Sequence, residues 1–159
     1  MGKSELRESL GLVMVFLGLV FVGMEMRQNT QMMQAQIRNA ITENTMEYAS
    51  LMATSEGVAN AMTTASEEGV ESLSGQQRIH LAGYTHSQFR AWENEYYQNK
   101  VGLFTEEEFL ARKLTWRRRL LTSSFGEVMW RAWENNRQGF APDFRAEIDA
   151  IIAEAQQAQ

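Results

Sequence analysis

With 159 residues, a formal charge of −5 and no cysteine, the chain has room for one domain plus a short appendage. The acidic balance is the wrong sign for a general nucleic-acid binder. The lack of Cys removes disulfides, thiolate metal sites and a Cys nucleophile from consideration.

Residues 1–8, MGKSELRE, form a charged head. Position 6 is Leu rather than Ser or Thr, so the myristoylation pattern is not met. Next comes Ser9 to Met26, SLGLVMVFLGLVFVGMEM, with no charge before Glu25. Ser9 to Met24 spans roughly 24 Å as a helix, a little under a hydrocarbon core of about 30 Å. Lys3, Arg7 and Arg27 can extend their stems to the interface and complete the span. A buried core helix would show some polar positions, and this run shows none. A cleaved signal peptide would end in small residues, but Phe21-Val22-Gly23 and Gly23-Met24-Glu25 do not resemble A-x-A. The expectation is a retained single-span anchor built on Leu10, Leu12, Val13, Val15, Phe16, Leu17, Leu19, Val20, Phe21 and Val22. Gly11, Gly18 and Gly23 thin its surface without forming G-x-x-x-G. Lys3 and Arg7 on one side balance Arg27 and Arg38 on the other, so charge does not set the orientation.

From 27 to 55 the pattern predicts a helical stalk continuous with the anchor, since no Gly or Pro interrupts it. Met33, Ile37, Ile41, Tyr48 and Leu51 recur at helical spacing as one apolar stripe. That stripe either packs on later helices of the same chain or pairs with another chain.

Residues 56–159 predict a helical bundle domain. A short helix over about Val58 to Ala65 is followed by a loop containing Gly69. Ser74-Gly75-Gln76-Gln77 is a capping-box sequence opening a helix to about Lys100, with Ile79, Ala82, Phe89, Trp92 and Tyr96 expected inside and Gly102 as its stop. Thr105 to Glu108 is a second capping box. It opens a helix to about Thr122 that is expected to bury Phe109, Leu110, Leu114 and Leu121. Another helix, about Phe125 to Gln138, shows Phe125, Val128, Met129, Ala132 and Trp133. Pro142 suits the first position of the last helix, which carries Phe144, Ile148, Ile151, Ile152 and Ala155 before a fraying tail. No segment alternates long enough for a strand. The fold class is all-α: one transmembrane helix continuing into a long amphipathic helix, then a bundle of about four helices.

Arg90-Ala91-Trp92-Glu93-Asn94 recurs as Arg131-Ala132-Trp133-Glu134-Asn135. The echo is either a duplicated helix hairpin or two hairpins meeting one core with the same residues. The chain also resembles an uncharacterised family of short bacterial proteins with an N-terminal hydrophobic helix. The carriers are Met26-Arg27-Gln28-Asn29-Thr30 (an IRQNT-like motif), the element Phe89 to Gln98, Gly102-Leu103, and Phe140 to Asp149. The resemblance implies the same all-helical architecture and a bacterial inner-membrane location, and it brings no activity with it.

Chemistry is sparse. His80 and His86 are six apart, on different helix faces, and no H-x-x-x-H, E-x-x-H, G-x-S-x-G or phosphate-loop motif occurs. No catalytic, metal or cofactor site is therefore assigned. Arg90, Trp92, Glu93, Asn94, Tyr96 and Trp133 form a candidate pocket or packing network. Arg112, Lys113, Arg117, Arg118 and Arg119 form a basic run that is either a solvated face or a set of contacts to anionic headgroups. The sequence favours a non-enzymatic, membrane-anchored accessory or scaffolding subunit. Its partners would be the bilayer and a protein, either a second copy or a larger membrane complex, with no nucleic acid. The alternative is a membrane-tethered ligand-binding or sensory domain.

Overall fold

The computed structural model describes residues 2–121 and 125–157. Among these residues there are six α-helices, two short 3₁₀ turns and no strand. The helices are α1 (Lys3–Thr54), α2 (Glu56–Glu67), α3 (Gly75–Lys100), α4 (Glu106–Leu121), α5 (Gly126–Asn136) and α6 (Pro142–Gln157). The chain divides into two compact units, Met1–Ala40 and Ile41–Gln159, so the division falls inside α1. The end of the α4 helix at Thr122 and the tail at 158–159 lie outside the described residues, as do the side chains of Lys3 and Ala155.

The first unit is helix alone. It begins at Lys3, earlier than the apolar run. Among the described residues one helix is long and apolar enough to cross a membrane: its best window has a mean hydropathy of 2.1, and none of that window is buried. Leu12, Phe16 and Leu19 are each about two thirds exposed (72%, 66% and 67%).

In the second unit the helix boundaries follow local chemistry. Ser55 caps α2, accepting from the Val58 N–H at 3.4 Å. Ser74 and Gln77 close a reciprocal capping box at 3.2 and 2.8 Å, and Thr105 and Glu108 do the same at 3.2 and 3.0 Å. Gly102 stops α3 with φ +79°, a left-handed conformation that favours glycine. Pro142 stands at the first position of α6.

The core is aromatic. Phe89, Trp92, Trp116, Trp133, Phe140 and Phe144 gather with Leu120, Met129, Ile148 and Ile151 between α3, α4, α5 and α6. A smaller cluster, Ala61, Ala65, Leu73, Leu81 and Val128, sits under α2. Two expected inner faces need correction. On α3 Ile79 is 74% exposed and Ala82 is also outside, while Leu81, Tyr84, Thr85 and Gln88 join Phe89 and Trp92 inside. Thr85 avoids a buried orphan hydroxyl by donating to the Leu81 carbonyl at 2.7 Å. On α4 Leu110 and Leu114 are exposed, and Trp116 and Leu120 take the inner positions.

Gly126, the first residue of α5, has no room for a side chain. A Cβ there would stand 2.7 Å from the Leu120 carbonyl oxygen, which is backbone and cannot swing aside. Gly126→Ala is expected to destabilise the domain by about 1–3 kcal/mol, as overpacking does. Chemical denaturation followed by far-UV circular dichroism measures it, and an unchanged midpoint would show that the end of α4 gives way to the added methyl.

Candidate functional site

An open cleft of about 440 Å³ lies between the end of α1, α3 and α4. Helical spacing builds it. Ile41, Asn44, Thr45 and Tyr48 turn one face of α1 toward it. Gln88, Trp92 and Glu95 do so from α3, and Arg112, Thr115, Trp116 and Arg119 from α4. Ile41 is buried, and the Tyr48 hydroxyl donates to the Ser87 carbonyl at 2.9 Å, so this part of the stripe packs on its own chain. Farther along the stripe, Ile37 and Tyr48 are half-buried, and Met33 and Leu51 stay 45% and 41% exposed. Burial, and next the neighbouring Glu47, pushes the Tyr48 hydroxyl above its ordinary pKa, which keeps it a neutral donor.

Glu95 is the residue that sequence reasoning missed. Its carboxylate accepts from the Trp116 indole N–H at 2.8 Å and from the Arg112 guanidinium at 3.0 Å, tying α3 to α4 at the cleft floor. Its side chain is 14% exposed, and Arg112 is 27% exposed. Two opposing influences act on the carboxyl. Burial raises its pKa, and the bonds from Trp116 and Arg112 lower it. Burial prevails, so Glu95 titrates above the usual carboxylate range. The Trp92 and Trp116 rings stack beside it, with centroids 5.7 Å apart. Arg119 donates to Tyr84 Oη at 3.1 Å and to Gln88 Oε1 at 3.0 Å, giving the buried amide a partner. The cleft thus pairs an aromatic wall with a fixed charge pair.

The expected pocket near Arg90, Trp92, Glu93, Asn94, Tyr96 and Trp133 does not form as one enclosed space. Phe89 lies between the two indoles, 5.3 Å from Trp92 and 4.9 Å from Trp133, and fills the volume. Of the two readings, pocket or packing network, these residues form a packing network with a shallow outer groove. Arg90 pairs with Glu93 at 2.7 Å, donates to the Gly139 carbonyl at 3.0 Å and covers the Phe140 ring at 4.2 Å. Glu93 in turn accepts from the Ala141 N–H at 2.8 Å. These bonds clamp the turn before α6 onto α3. The groove beside them, about 470 Å³ and open, runs past Tyr96 and Tyr97 to the Lys100–Asp143 ion pair. Asn94 borders it and accepts a weak bond from Gln98 at 3.4 Å.

The two RAWEN copies match in burial at all positions but Glu93 and Glu134, and they differ in their bonds. Trp92 and Trp133 are both core residues. Trp133 donates to Asp149 at 2.8 Å, and Arg131 pairs with Glu127 and Glu71 rather than with Glu134.

Most of the basic run on α4 is paired within the fold. Arg112 is held by Glu95, Lys113 by Glu147, and Arg117 by Glu154, while Arg119 reaches α3. Arg118 is exposed but also has a partner. The run mostly ties α4 to its neighbours, because the inner edge of α4 carries Arg and Lys stems whose charges meet acids of α3 and α6. His80 is half-buried where α2 approaches α3, with its ring against Gly57. His86 lies beside Phe140 at 5.8 Å. Among the described residues, no three His, Asp or Glu side chains gather to hold a metal ion.

Comparison of the chain with protein-family models, with curated proteins and with solved structures returns no match.

Proposed function

We propose that the chain is a membrane-anchored, non-enzymatic accessory subunit of the bacterial inner membrane that assembles with itself or with a larger membrane complex. One observation carries the anchoring: the apolar window of α1 is entirely unburied. Leaving side chains of this kind in water forfeits about 1.5–3 kcal/mol each, so the segment requires an apolar surrounding. The assembly half rests on side chains that the fold leaves uncovered outside that window. Met46 is 67% exposed, Leu110 56%, Leu114 57% and Tyr97 60%. Methionine is well suited to adaptable contacts.

Alkaline carbonate washing of membranes that carry the full chain tests the anchor. The chain is expected in the pellet until detergent is added, and its appearance in the carbonate supernatant would overturn the anchoring. Crosslinking before detergent extraction tests assembly, with species larger than the monomer expected and monomer alone as the contrary result. A second reading, a membrane-tethered ligand-binding domain, is favoured by the cleft around Glu95 and would be supported by a small molecule retained through purification from native membranes.

A further inference from the structure

The outer face of α4 carries a symmetric order of side chains that stays exposed even though Arg117 pairs with Glu154 and Arg118 also has a partner. At helical spacing Glu106, Glu107, Leu110, Leu114, Arg117 and Arg118 share an arc of about 120°. This arc lies away from Trp116 and Leu120, which face the core. Its six residues are exposed. Along the helix the order is acid, apolar, base, over roughly 18 Å. The order is centred on position 112: Glu106 and Arg118 are equally far from it, as are Glu107 and Arg117, and Leu110 and Leu114.

We propose that this face of α4 is a homodimer interface, in which a second copy of the chain packs its own α4 antiparallel across a two-fold axis at position 112. The inference rests on the assembly reading above and names its partner. A two-fold axis sets each residue against its mirror position, so Glu106 meets Arg118 of the second copy, Glu107 meets Arg117, and Leu110 meets Leu114. Every charged position is then opposite a charge of the other sign, and the four leucines form a continuous apolar centre. In parallel pairing acids would meet acids and bases would meet bases. Antiparallel helices also set opposite dipole ends side by side. The Arg117–Glu154 pair does not compete strongly, because both ends are half-exposed and such pairs contribute little. A guanidinium also has donors to spare for a second carboxylate.

The experiment uses the full chain in nanodiscs, with self-association read by energy transfer between labelled copies. The wild type is expected to dimerise. Glu106→Arg with Glu107→Arg gives a face that is basic at both ends, and Arg117→Glu with Arg118→Glu gives one acidic at both ends. Each double variant alone is expected to self-associate about a hundredfold more weakly, since like charges then face each other. Mixing the two variants is expected to restore pairing to near the wild-type level. Leu110→Asn with Leu114→Asn weakens the dimer without touching the core and controls for folding, which circular dichroism checks. A monomeric wild type, variants that still dimerise, or a mixture that stays monomeric would each overturn the interface. Carbonate extraction of the same proteins reads the anchor separately, so a wild type that stays in the membrane and yet is monomeric refutes this interface while leaving the anchoring intact.

Discussion

Trp133→Ala is expected to cost the domain about 3–5 kcal/mol, as removal of a large core aromatic does. That is a large share of the 5–15 kcal/mol typical of a folded domain. Trp133 is 1% exposed and stands at the centre of the core, 4.9 Å from Phe89, 5.1 Å from Phe140 and 5.8 Å from Phe144 by ring centroids. These rings come from α3, from the turn before α6 and from α6 itself. The cavity left by the indole therefore opens between three segments and cannot close by moving one. The indole N–H adds a bond to Asp149, which also pairs with Arg137. Trp133→Phe keeps most of the packing and loses that bond, so its cost is expected near 1–2 kcal/mol. Trp130 provides the contrast. Its indole nitrogen is buried with no partner among the described residues. Trp130→Phe therefore removes a group that already lacks its bond and is expected to be neutral or slightly stabilising. Denaturant titration of the three variants tests this order, and equal losses at the two positions would contradict it.

The helices were legible because their ends are local. Ser74 with Gln77, Thr105 with Glu108, Gly102 and Pro142 each specify a boundary within four residues. The faces of α5 and α6 were legible because apolar residues recur there without charged intruders. The face of α3 was not. Its inner positions include Thr85 and Gln88, both buried and satisfied by hydrogen bonds, while Ile79 points out. Hydrophobic spacing weights such positions the wrong way. On α4 the inner edge carries Arg112, Lys113 and Arg119, which only long-range partners make tolerable, so Leu110 and Leu114 looked like the better core. Glu95 escaped for a related reason. The repeated RAWEN segment drew attention to Glu93, two residues away on another side of the helix. Glu95 lies three residues beyond Trp92 and seven beyond Gln88, a spacing that puts all three on one face. Its partners Arg112 and Trp116 are on another helix, and no local pattern points to them.

Glu95 supports the second large effect. Glu95→Ala removes a buried carboxylate and strands two groups at once: the Trp116 indole N–H and a guanidinium whose Nε already has no partner among the described residues. Breaking such a pair from one side is expected to cost about 3 kcal/mol. Glu95→Gln has the same shape and can still accept from Trp116, so it is expected to cost far less. The pH dependence separates charge from shape. The folded state holds the Glu95 proton more tightly than the unfolded chain does, because burial raises its pKa above the ordinary carboxylate value of 4.5. From that ordinary value upward, the folded state therefore binds more protons than the unfolded state, and the contribution of Glu95 to stability falls as pH rises. It levels off once the folded carboxyl has ionised. The wild type is expected to lose this increment on going from acid toward neutral pH, while Glu95→Gln shows a flatter profile over the same window. Urea titrations of both proteins across that window measure the difference. Parallel profiles would mean that the cleft floor is solvated enough to keep Glu95 at its ordinary value, and the Arg112 pair would then be a surface contact of little consequence.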